Sequence, residues 1–172
     1  MKKSISVYVL VLFLLGSAFF SAQSKNGFEK EKSEISTMLD AFNVAAAKAE
    51  YTNYFNYFAE ESTFIGTDAT EVWDKKAFMI WAKPHFDKKK TWNFTALKRN
   101  IYFSKDGKMA WFDELLDTQM KICRGSGVVE KINGTWKIKQ YVLSMTIPND
   151  VVDKVVAEKT ALEDPLIKEL KK

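Results

Sequence analysis

Apolar positions in this chain first recur at helical spacing and then, from Trp92 onward, at the two-residue spacing of strands. Ile35, Met38, Leu39, Phe42, Ala45, Ala46 and Ala49 lie three and four residues apart, which places them in one stripe of an amphipathic helix. Tyr51, Tyr54, Phe55 and Phe58 form a second, shorter stripe, and Ser62 to Gly66 reads as a brief strand or turn. Asp74 stands where a helix cap belongs, before a third helix that carries Ala77, Phe78, Trp81 and Ala82 on one side. Pro84 is expected to close that helix.

Alternation then runs through Trp92–Phe103, Met109–Met120, Ile122–Ile132 and Thr135–Ile147. Asp106-Gly107 and Asn133-Gly134 supply hairpin turns, because these residues accept the positive φ that tight turns demand. Pro148-Asn149-Asp150 ends the sheet, and a charged helix with valines closes the chain. Helices first and hairpin-linked strands after predict an α+β fold, a curved antiparallel sheet with helices packed on one face. The last strand is apolar on both sides by simple alternation: Trp136, Ile138 and Val142 on one, Tyr141, Leu143, Met145 and Ile147 on the other. Helices cover only one face of such a sheet, so the second apolar face predicts a homodimer interface.

The ends change the picture. Met1-Lys2-Lys3, an apolar run from Ile5 to Phe20 and then Ser21-Ala22 have the three parts of a secretion signal. The expected division is a signal at residues 1–22 and a single domain at 23–172, whose last part, 150–172, is a helical tail. The protein is therefore expected to be exported, periplasmic or secreted, with no stable membrane insertion after cleavage. With Cys123 as the only cysteine, no intrachain disulfide can form and the fold must rest on its core. The net charge of +4 includes Lys2 and Lys3, leaving 4 − 2 = +2 on the mature chain. Its lysines are scattered rather than striped, which argues against nucleic acid.

Three stretches carry a family resemblance. Gly107-Lys108-Met109-Ala110-Trp111-Phe112-Asp113, then Arg124-Gly125-Ser126-Gly127-Val128, then Asn133-Gly134-Thr135-Trp136-Lys137-Ile138 resemble the SnoaL-like branch of the NTF2-like superfamily. Thr63-Phe64-Ile65-Gly66-Thr67-Asp68 before a tryptophan and a helix fits the same pattern. The resemblance implies a cone with a pocket between helices and concave sheet, usually dimeric. It also implies a choice of roles, since the superfamily hosts isomerases, dehydratases, cyclases, binders and interaction modules. The branch often carries histidines after the Trp-Lys-Ile entry; Gln140 and Val142 stand there instead.

The residues themselves suggest where chemistry would sit. Arg99 and Arg124 alternate with apolar neighbours, and a buried guanidinium requires a carboxylate or a ligand anion. Asp113 and Glu114 are the partners at hand, and being adjacent in a strand they face opposite ways, so one of them points inward. Asp113 is favoured for the pocket, with Glu114 nearly as good. Trp81, Tyr102 and Trp111 are expected as walls, and Gln140, read as inward beside Trp136 and Ile138, as a hydrogen-bonding group. For proton transfer the candidates are Asp68, Asp113 and His85, the single histidine. Asp68 serves as a base only if an apolar cavity raises its pKa. No cofactor or metal is expected: the chain has no phosphate-cradling glycine loop and only one His and one Cys. The leading expectation is a small, partly apolar ligand in the pocket. The alternatives are a cofactor-free enzyme working by proton transfer and a dimeric interaction module.

Overall fold

The long apolar stripe becomes α1 (Glu29–Ala47) and the short one α2 (Tyr51–Asn56). The computed structural model describes residues 27–172, so the segment read as a secretion signal lies outside the described residues. Ile35, Leu39, Phe42, Ala45 and Ala46 of α1 are buried, as the spacing requires. Phe58 leaves the helical phase and opens β1 (Phe58–Ile65), which turns into β2 (Val72–Asp74). Asp74 then caps α3 (Lys75–Asp87), its carboxylate accepting the Ala77 N–H at 2.7 Å. Pro84 does not end this helix, which continues to Asp87.

Four strands follow in hairpin order: β3 (Thr95–Phe103), β4 (Met109–Thr118), β5 (Lys121–Ile132) and β6 (Thr135–Met145). The sheet order is β2-β1-β6-β5-β4-β3. All pairings are antiparallel except β1 with β6, which is parallel, so the expected antiparallel sheet is in fact mixed. The helices pack on one face, and the core lies between them and the sheet.

Two bulges decide which residues reach that core. In β6, Ile138 pairs with Val129 and Gln140 with Val128, leaving Lys139 as an extra residue. The phase resets there, so Trp136, Ile138, Tyr141 and Leu143 are all buried on the same, inner face. The expectation of two apolar faces on this strand fails for that reason. Gln140 goes with it: paired with Val128 and Thr63, it belongs to the outer face. In β3 the extra residue is Leu97, which leaves the covered face and stands exposed.

Beyond β6 a 3-10 turn (Asn149–Val151) leads into α4 (Val152–Leu170), of which no residue is buried. Val152, Val156, Leu162 and Leu170 are exposed along it, and its chief contact is with the preceding turn. No described helix is long and apolar enough to cross a membrane.

Candidate functional site

The polar residues singled out from the sequence separate into an inner group, an outer group and a loop. The inner group is an ion pair under the helices. Register places Arg99 opposite Glu114, and Glu114 opposite Gly125, all on the inner face. Glu114 is 1% exposed, and its carboxylate accepts the Arg99 Nε–H at 2.8 Å and the Tyr141 hydroxyl at 2.9 Å. Arg99 Nη2 also approaches it at 2.7 Å, outside hydrogen-bond geometry. Arg99 Nη1 donates to the Ser36 carbonyl and hydroxyl and meets Asp40 at 2.9 Å, tying β3 to α1. Gly125 makes room for the cluster, since a Cβ there would lie 2.5 Å from the Tyr141 hydroxyl oxygen. Of the two adjacent acids, then, Glu114 points inward. Its valence is filled by the protein, and the cluster acts as a brace rather than a receptor.

Burial, the Glu114 charge and the hydrogen bond to that charge all push the Tyr141 hydroxyl well above the usual tyrosine pKa. Burial does the same to Tyr54, whose hydroxyl has no hydrogen-bond partner among the described residues. A pKa raised by folding contributes stability that is intact below the unfolded value, about 10, and is lost as pH climbs past it. Urea midpoints are therefore expected to fall above about pH 10, less steeply in Tyr141→Phe than in the native chain. Equal slopes in the two proteins would contradict the assignment.

The outer group faces away from the helices. Asp113 accepts from Asn100 Nδ2 at 3.1 Å and from the Tyr102 hydroxyl at 3.4 Å. Tyr102 and Trp111, 46% and 49% exposed, stack with centroids 6.0 Å apart. Arg124 lies on this face opposite Leu115 and Ser144, exposed. Asp113, Tyr102, Trp111, Arg124 and Gln140 therefore do not line an inner pocket. The alternation read across β4 and β5 was correct in period and inverted in face.

The loop holds Asp68. Its carboxylate accepts the Thr70 N–H at 2.9 Å and hydroxyl at 2.6 Å, and these bonds hold its pKa below the usual carboxylate value. The raised pKa that a general base would need here is absent. His85 is exposed on α3, its ring 4.9 Å from that of Trp81. Asp113 thus sits on the outer sheet face with Asn100 and Tyr102, apart from the contacts that Asp68 and His85 make.

What the structure does form is a pocket of about 150 Å³ between α3, the β1–β2 edge and the β4–β5 turn. Phe78 and Trp81 come from α3, Phe64 and Trp73 from β1 and β2, and Trp92 and Phe94 from the segment before β3. Trp73 and Trp81 stack at 4.8 Å, and Phe64 and Phe78 at 4.1 Å. Leu143 is the apolar floor contributed by β6, while Glu71, Gln119 and Met120 form polar and mixed parts of the lining. Trp81 alone among the expected ligand residues belongs here. Glu71 lies in a turn with no apolar period, and Gln119 and Met120 read from alternation as the end of a strand, whereas β4 stops at Thr118 and they turn into the pocket. Thr118 holds the second of these turns by accepting the Met120 N–H at 2.9 Å and donating to the Lys121 carbonyl at 2.8 Å.

Solved structures share this architecture at low identity. A candidate dehydratase of the NTF2-like family from Streptomyces avermitilis is similar with a TM-score of 0.60 at 9% identity, covering 70% of this chain and 99% of its own. A candidate aromatic ring hydroxylase from Novosphingobium aromaticivorans has a TM-score of 0.60 at 11% identity, over 69% and 91%. A domain of unknown function with a cystatin-like fold from Nostoc punctiforme has 0.57 at 17%, over 83% and 98%. At such identities the likeness concerns the fold. No curated protein matches this chain. Residues 35–148 match the SnoaL-like domain from α1 to the end of the sheet, and this chain belongs to that family, with an NTF2-like fold.

Proposed function

We propose that this domain binds a small, partly apolar ligand in the pocket beneath Trp81. The observation that carries the reading is a cavity of about 150 Å³ whose walls are mostly aromatic and whose lining holds few polar groups. A cavity near that size accepts one benzene-sized group, and aromatic walls with a few convergent polar groups are what ligand sites offer. Binding stands ahead of proton-transfer catalysis because Asp68, His85 and Asp113 lie outside this lining.

Trp81 is 40% exposed at the pocket, so Trp81→Ala should leave the fold intact. Native mass spectrometry of protein purified from its producing cells is expected to show a small bound mass that the variant loses. Retention of that mass by Trp81→Ala would place the ligand elsewhere.

The proposal includes export, on the strength of the charged, apolar and small-residue order at the N-terminus. It also includes a homodimer through the outer sheet face. What supports the dimer is the exposure there of Tyr102, Met109, Trp111 and Ile122, a group of large apolar side chains on one surface. Analytical ultracentrifugation is expected to give twice the chain mass for the native protein and a single chain mass for Trp111→Glu. A native monomer at tens of micromolar would end the dimer reading.

A further inference from the structure

We infer that the group selected by this pocket is an alkylated ammonium, the cationic head of a quaternary or N-methylated amine. The inference rests on the ligand-binding reading above and adds its charge. Two features of the lining carry it. The first is the density of rings: Trp73, Trp81, Trp92 and Phe94, backed by Phe64 and Phe78, surround a space of about 150 Å³. Aromatic faces attract cations through the ring quadrupole, tryptophan most strongly, and assemblies of several rings recognise methylated ammonium groups.

The second feature is Glu71. It is the only charged side chain in the lining, and it forms no ion pair with a lysine or arginine among the described residues. Its carboxylate accepts one weak hydrogen bond, from the Asp68 N–H at 3.2 Å. The chain holds it at the pocket edge. Gly66 N–H donates to the Glu71 carbonyl at 2.8 Å, and the carboxylate lies over Gly66, where a Cβ would come within 2.2 Å of Oε2. A neutral apolar ligand would strip water from this carboxylate and return nothing to it. A cationic head offers compensation to the carboxylate and the rings together. Methylation matters to the fit, because an alkylated ammonium sheds its hydration more readily than a primary one and presents an apolar surface to the rings.

The test compares choline with 3,3-dimethylbutan-1-ol, which has the same shape without the charge, by calorimetric titration into the full mature chain. Choline is expected to bind about ten-fold more tightly than the alcohol. Glu71→Gln should reduce that preference several-fold, by weakening choline and by sparing the alcohol the cost of drying a carboxylate, and Trp81→Ala should weaken both. Equal affinities for the two probes would overturn the ammonium inference and leave the apolar pocket standing. Heat from neither probe overturns the inference as well; if a panel of neutral aromatic compounds then also fails to bind, the ligand-binding reading falls with it. Vesicles of phosphatidylcholine separate the two sources of the same chemistry. Choline-competed capture by vesicles assigns a lipid headgroup, and choline binding without capture assigns a free cation.

Discussion

Glu114→Ala is expected to destabilise the domain by about 3–5 kcal/mol, because it leaves a buried guanidinium without its main counter-charge. The side chain of Arg99 is 7% exposed and that of Glu114 fully buried. Asp40, the remaining carboxylate on Arg99, is 62% exposed, so water screens it and it cannot substitute for the lost partner. Tyr141 loses its acceptor in the same step, which adds the cost of an unmet buried hydroxyl. The experiment is urea unfolding with the slope compared between variants. Glu114→Gln should fall between native and alanine, since its amide oxygen still accepts from Tyr141. The double change Arg99→Met with Glu114→Leu should recover most of the loss, since an apolar pair of similar volume removes both charges at once. A cost below about 1 kcal/mol for Glu114→Ala would mean that the cluster is hydrated and not the brace described.

Phe78→Ala is expected to cost a similar amount, about 3–5 kcal/mol, by a different route. Phe78 is 1% exposed and stacks on Phe64 at 4.1 Å and on Trp73 at 5.6 Å. Tyr54, Phe55 and Phe58 pack against its other sides. Truncation removes the transfer energy of a ring and opens a void that these rigid neighbours cannot collapse into. Because Phe78 also backs the pocket, that void joins the existing cavity. Phe78→Leu should cost distinctly less, since it fills part of the space. A loss under about 1.5 kcal/mol for the alanine variant would show that the ring cluster repacks.

The helical half of this fold is plain in the sequence because its signals are local. The α1 stripe, the Asp74 cap and the two Gly-containing hairpins each depend on residues within one or two turns of each other. The sheet is legible in period and not in phase. A single inserted residue, Lys139 in β6 or Leu97 in β3, flips everything after it, and nothing in alternation alone marks where an insertion falls. That is why Gln140 reads as inward. In β4 and β5, which pair without an insertion, alternation gives the period but not which face the helices cover, so Arg124 and Asp113 read as inward in place of Glu114. The parallel pairing of β1 with β6 has no hairpin to announce it. The pocket was half-visible: tryptophan enrichment pointed to Trp81, but Glu71 and Gln119 reach the site from turns, where position depends on tertiary folding rather than on period.

The parallel pairing also fixes when the site can come into being. Phe58 meets Ile138, and Ile65 meets Val142, partners 80 and 77 positions apart in the chain (138 − 58 and 142 − 65). Contacts so distant in sequence are slow to close. The β1–β2 edge and α3, which carry Trp73 and Trp81, must wait for β6 to arrive before they have a sheet to join and a Leu143 to rest on. A chain released progressively from its N-terminus would expose these aromatic rings from their own emergence until β6 follows. Completion of the domain and completion of the pocket are thus one late event, and a truncation within β6 would abolish both together.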